Sequence, residues 1–181
     1  SLKGKYITAE DMNMKTSDME HIGMETKHVT GLPVEMGGSG DPSPVTAYGV
    51  YVGMKSAAKK AYGSDSLAGK KISVQGVGQV GMYLVEHLTK EGAQVFMTDI
   101  NQDRLKMVSE KTGATVVGMD EIYGLDVDIY APCAMGATIN DDTISKLKCS
   151  VIAGAANNQL KDEARHGNML IEKGIVYAPD F

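Results

Sequence analysis

From Lys71 onward, short apolar and β-branched runs alternate with segments whose apolar positions recur every three to four residues. The runs are Ile72–Gln75, Gln94–Thr98, Thr115–Val117, Val127–Tyr130, Val151–Ala153 and Ile175–Ala178, each three to five residues long. Most lack polar alternation, as expected of strands covered on both faces. Between them, Val80, Leu84, Val85 and Leu88 form one helical stripe. Asn101 caps a segment with an acidic first turn that Gly113 ends, and Asn140-Asp141-Asp142 caps a helix ending near Lys148. Strand and helix in strict alternation predict an α/β fold of the Rossmann type. Its sheet is doubly wound and mostly parallel, with helices on both faces.

The first seventy residues read differently. Tyr6–Thr8 predicts a short strand leading into Ala9-Glu10-Asp11. Ser17 and Glu20 have capping-box spacing, and Met19, Ile22 and Thr26 share a helical face. Gly37-Gly38-Ser39-Gly40-Asp41-Pro42-Ser43-Pro44 has the composition of a hinge or binding loop, and a long helix follows from Val45 to Tyr62, stopped by Gly63. The break in composition places residues 1–36 as the tail of an N-terminal substrate or catalytic domain. Residues 37–181 then form a second domain, truncated at its C-terminus. The opening Ser1-Leu2-Lys3, without Met, and an ending directly after an apolar strand suggest a piece of a longer protein.

Composition narrows the function classes. The 181 residues are 43% hydrophobic and 23% charged, as in an ordinary soluble domain. No apolar run approaches the ~20 residues of a membrane span. With 18 Lys and Arg against 23 Asp and Glu, the net charge is −5, which argues against a nucleic-acid partner. Cys133 and Cys149 are too few for a disulfide scaffold. The four histidines have no metal-ligand spacing, so no metal is expected. The expected location is the cytoplasm.

The sharpest motif is Gly76-Val77-Gly78-Gln79-Val80-Gly81, between the strand Ile72–Gln75 and the helix beginning at Val80. A diphosphate needs this geometry. Gly76 permits a tight turn, Gly78 leaves room for phosphates, and Gly81 lets helix and strand approach, while the helix's free N–H groups face the anion. Asp99, at the end of the next strand and about 20 residues on, suits the adenosine ribose and would repel a 2′-phosphate. NAD is therefore favoured over NADP. Arg104 would soften that preference if it swung toward the ribose. The same pattern also serves as a plain β–α turn with Asp99 as a helix cap.

Other residues are more ambiguous. Asp11 past a strand end could pass protons, especially if buried with Glu10, or be a solvated turn acid. Asn157 and Asn158 follow the strand Val151–Ala153 and could orient a ribose or cap a helix. Cys133 follows a strand too, and without a nearby His it reads as a small buried thiol rather than a nucleophile.

Several stretches together resemble the Glu/Leu/Phe/Val amino-acid dehydrogenases, in order along essentially the whole chain. They are Tyr6–Asp11, Asp41–Val50, Gly76–Gly81, Ala131-Pro132-Cys133-Ala134, Ala153–Leu160 and Gly174–Asp180. The resemblance implies a two-domain enzyme that oxidatively deaminates L-leucine and other branched-chain L-amino acids, with NAD, to 2-oxo acids and ammonia. Asp11 would match the catalytic aspartate and Ala9 a residue of the aliphatic pocket. Thr46 would lie near the nicotinamide carboxamide. Gly76, Val77, Gly78, Gln79, Val80, Gly81 and Asp99, with Cys133 and Ala134, would match the NAD site. Asn157 and Asn158 would flank nicotinamide ribose and substrate, Asn158 touching both. The family's two catalytic lysines have no counterpart here, so the expectation is a piece that binds NAD but turns over leucine negligibly. The full-length protein is expected to be a homo-oligomer. The alternatives are a non-catalytic NAD-sensing module and the equivalent piece of a phenylalanine, valine or glutamate dehydrogenase.

Overall fold

Alternate residues of the strands divide between two apolar clusters, one on each face of a sheet. In the computed structural model, which describes residues 2–11 and 14–179, the strands are β1 (Lys71–Gln75), β2 (Gln94–Thr98), β3 (Thr115–Val116), β4 (Ile129–Pro132), β5 (Val151–Ala153) and β6 (Val176–Ala178). All pairs are parallel and the order is β3-β2-β1-β4-β5-β6. Ile72, Val74, Val95, Met97, Ile129, Ala131, Val151 and Ala153 enter one cluster, while Phe96, Tyr130, Ile152 and Tyr177 enter the other. This is the two-residue period of a strand acting on both faces at once, and it explains why the runs show so little polar alternation.

Helices cover both faces. The first cluster is closed by α2 (Ser43–Tyr62) through Ala47, Met54, Ala57 and Ala58. It is also closed by α3 (Gln79–Glu91) through Leu84, Val85 and Leu88, and by α4 (Gln102–Thr112) through Leu105 and Val108. The second is closed by Ile122 in a 3-10 turn, by α5 (Asp141–Ile144) through Ile144, and by α6 (Glu163–Glu172) through Leu170.

The chain forms two compact units, Ser1–Val45 and Thr46–Phe181. The first holds α1 (Thr16–Glu25), with Met19 buried, and one parallel bridge between Thr8 and Val29. The strand expected at Tyr6–Thr8 is reduced to that bridge, held by Thr8 N–H to His28 O (3.0 Å) and Thr30 N–H to Thr8 O (2.9 Å).

Several boundaries differ from the sequence expectation, four of them for a reason the structure makes plain. α1 starts at Thr16, because Asp18 rather than Glu20 closes the first turn, accepting from Lys15 N–H at 2.8 Å. α2 starts at Ser43, whose N–H donates to Asp41 Oδ1 at 2.8 Å, and Pro44 in the first turn has no N–H to satisfy. β4 runs two residues later than expected, because Asp128 closes the entry instead: its Oδ2 accepts from Lys71 N–H at 2.8 Å. α5 stops at Ile144, where a tighter turn closes by Lys146 N–H to Thr143 O (2.9 Å) and lets Leu147 and Cys149 enter the core. The caps at Asn101, Gly113 and Asn140 stand where the sequence puts them. No helix among the described residues is long and apolar enough to cross a membrane.

Candidate functional site: the glycine turn at the strand reversal

β1 lies between β2 and β4, the point at which the chain's winding reverses, and ligands of open α/β sheets sit beyond the strand ends there. Three turns meet at that edge: residues 76–81 after β1, 133–138 after β4 and 154–159 after β5.

Each glycine of the first turn has its own requirement. Gly76 has φ +96°, and a Cβ there would stand 2.7 Å from Ala134 Cβ and 2.8 Å from its nitrogen. A Cβ on Gly81 would stand 2.0 Å from Gly76 O, so only glycine lets α3 pack against β1. At Gly78 nothing is closer than 3.8 Å. That position does not need glycine for the fold; it leaves an open space. Gly78 is also the N-cap of α3, so no side chain caps the N–H groups of the first turn, and an anion there would meet donors at the positive end of the helix. Val77 is buried, Val80 half-buried and Gln79 exposed.

Asp99 fixes the turn to the next strand. Its Oδ2 accepts from Val77 N–H and its Oδ1 from Asn101 N–H, both at 2.8 Å. Beneath the turn, Gln75 sits in a polar chain that the sequence gives no hint of. Its amide donates to Tyr123 Oη at 2.6 Å and its carbonyl accepts from the Tyr130 hydroxyl. Burial pushes the Tyr130 phenol well above its ordinary range, so it stays a donor.

The other two turns clasp each other. Ala137 N–H donates to Asn158 O at 2.7 Å, Ile139 N–H to Gln159 O at 3.0 Å and Ala156 N–H to Pro132 O at 2.9 Å. Ala137 (φ +59°) and Asn158 (φ +50°) are both left-handed, strained for alanine and tolerated by asparagine. Asn157 and Asn158 are exposed at this edge, and neither is the N-cap of α6, which is Asp162. Cys133 N–H donates to Gln75 O at 2.7 Å, and burial pushes its thiol to about 11, so it is a neutral thiol near pH 7. Ala134 packs against Gly76, and Thr46 is exposed in the first turn of α2.

Within the first unit, Asp11 and Ala9 are exposed, three and one residues past the bridge at Thr8. Glu10 is half-buried and accepts from Thr16 Oγ1 at 3.4 Å, so Asp11 and Glu10 do not share a buried site. Asp180, the last residue of the resembling stretches, lies outside the described residues.

A six-stranded parallel sheet in this order, with a three-glycine turn at its reversal, defines a Rossmann-type α/β domain. A family model for Glutamate/Leucine/Phenylalanine/Valine dehydrogenase matches residues 37–101 and 97–181. The chain belongs to that family. It is 60% identical over 180 residues to leucine dehydrogenase of Bacillus subtilis and 58% identical over 180 residues to that of Thermoactinomyces intermedius, covering 99% of this chain and 49% of each relative. The crystal structure of L-tryptophan dehydrogenase from Nostoc punctiforme superposes with a TM-score of 0.81 at 44% identity, covering 99% of this chain and 50% of that one. The chain thus spans about half the length of the curated relatives it matches.

Proposed function

We propose that the protein carrying this chain is an NAD-dependent amino-acid dehydrogenase that oxidatively deaminates L-leucine and related branched-chain amino acids. The open space over Gly78, at the uncapped start of α3, carries the cofactor reading. Family membership and the leucine dehydrogenase relatives support the reaction.

The residues present fit the dinucleotide. Amides of residues 78–80 would face its diphosphate, with Val77 held in the turn by Asp99. Asp99 would face its adenosine ribose, and the turns at Cys133–Ala134 and Asn157–Asn158 its nicotinamide end, with Thr46 at the carboxamide. When bound, nicotinamide supplies a hydride acceptor. Asp11 takes a proton from the substrate amino group as the imine forms and returns one in the reverse direction. Ala9 leaves room for an aliphatic side chain, and Asn158 orients substrate. Residues 1–36 then belong to the substrate domain and 37–181 to the cofactor domain, and the whole protein assembles as a homo-oligomer.

Titrating the chain with NAD and NADP, with Gly78→Val as control, tests the cofactor reading. It predicts saturable binding that is tighter for NAD and abolished by the substitution. Equal binding by the variant would remove the glycine turn from the site.

A further inference from the structure

Arg104 stands where a helix should not carry a cation. It is the third residue of α4, next to the positive end of the helix, and its backbone N–H is tied to Asn101 Oδ1 at 3.0 Å. Leu105, 2% exposed, anchors the same turn in the core, and Asp99 holds that turn to Val77 through its two carboxylate oxygens. The arginine side chain therefore leaves from a fixed base beside the glycine turn. Its Nη1 is the nearest atom to the open space over Gly78, 3.8 Å from where a Cβ would be. The residue is half-buried, and among the described residues no carboxylate, carbonyl or ring partners the guanidinium. A half-buried, unpaired guanidinium against its own helix dipole, facing empty space beside uncapped amides, is a complement to a doubly charged oxyanion.

We infer that Arg104 is a phosphate-gripping residue of the cofactor site, donating to the diphosphate that lies over Gly78 rather than acting on the ribose. The inference rests on the dinucleotide reading above and adds to it a side-chain contact beyond the backbone cradle. Position separates the two possible phosphates. Gly78 marks the track of the diphosphate, whereas the ribose hydroxyls belong at Asp99.

The test is an NMR titration of the chain and of Arg104→Ala and Arg104→Lys with adenosine, AMP, ADP, 2′,5′-ADP and NAD. A melting curve for each variant checks the fold. Arg104→Ala should weaken ADP and NAD by about tenfold, leave adenosine unchanged and keep its melting temperature, with Arg104→Lys in between. A loss confined to 2′,5′-ADP relative to AMP would move the contact to the ribose phosphate and overturn the assignment. ADP and NAD bound equally by parent and Arg104→Ala would overturn it while leaving the cofactor reading intact. If neither ligand bound the parent chain, the cofactor reading itself would fall, and the inference with it.

Discussion

The carboxylate of Asp99 accepts the Val77 amide hydrogen at 2.8 Å, joining the end of β2 to the turn after β1. One residue thus braces the glycine turn and, under the proposed function, is also the acid that meets the ribose. The two roles separate in Asp99→Asn. The amide keeps one acceptor, so stability should fall by about 1 kcal/mol in urea unfolding. Repulsion of a 2′-phosphate disappears, so the ratio of NADP to NAD dissociation constants should fall by about tenfold. An unchanged ratio would mean that Asp99 only braces the turn.

Gly81 and Gly78 should respond in opposite ways. A Cβ at Gly81 would lie 2.0 Å from Gly76 O, so Gly81→Ala should cost about 3 kcal/mol of stability. Gly78 has φ −63° and open space, so Gly78→Val should cost only about 1 kcal/mol while abolishing NAD binding. Urea midpoints for the two variants, beside a binding titration, distinguish the structural glycine from the functional one. Equal destabilisation by both would contradict the division.

Glu91, at the end of α3, holds three donors: Tyr51 Oη at 2.6 Å, Lys55 Nζ at 2.7 Å and Leu67 N–H at 3.0 Å. Burial raises the pKa of its carboxyl, but these hydrogen bonds outweigh burial and hold it below the ordinary 4.5. A folded-state value below the unfolded one stabilises the fold fully above about 4.5, and the contribution disappears as pH falls through the folded value. Glu91→Gln should therefore be about 1–2 kcal/mol less stable at pH 7, and the two stability curves should converge in acid. Parallel curves from pH 7 to pH 3 would show that the charge of Glu91 plays no part.

Asp11 is exposed in its own unit, and its proposed role is proton exchange with the substrate amino group. In the protein that carries this chain, Asp11→Asn should lower kcat by about 10²- to 10⁴-fold and leave the NAD dissociation constant unchanged. Steady-state kinetics with leucine, paired with NAD titration, would show this. A variant with undiminished kcat would remove Asp11 from the chemistry.

The sequence was most legible where a local rule and the global fold agree. β2 carries a continuous apolar run, Val95-Phe96-Met97, and Asn101, Gly113 and Asn140 cap helices with side chains or conformations no neighbour competes for. At α1 two boxes of equal spacing are available, Ser17 with Glu20 and Lys15 with Asp18, and the earlier one forms. β4 shifts because Asp128, which looks like a polar interruption within an apolar run, is claimed by Lys71 from the neighbouring strand. The chain Tyr123–Gln75–Tyr130 joins residues 48 and 55 positions apart, and only the placement of β1 beside β4 brings them together. Arg104 shows the same limit. Its separation in sequence from Asp99 suggests the ribose, and only the orientation of α4 directs its guanidinium to Gly78.

The most direct measurement is a crystal structure of the chain grown with NAD. The diphosphate should lie over Gly78 within hydrogen-bond distance of the first-turn amides of α3, with the adenosine ribose at Asp99. A dinucleotide bound at another edge of the sheet, or a glycine turn left empty at saturating NAD, would contradict the account.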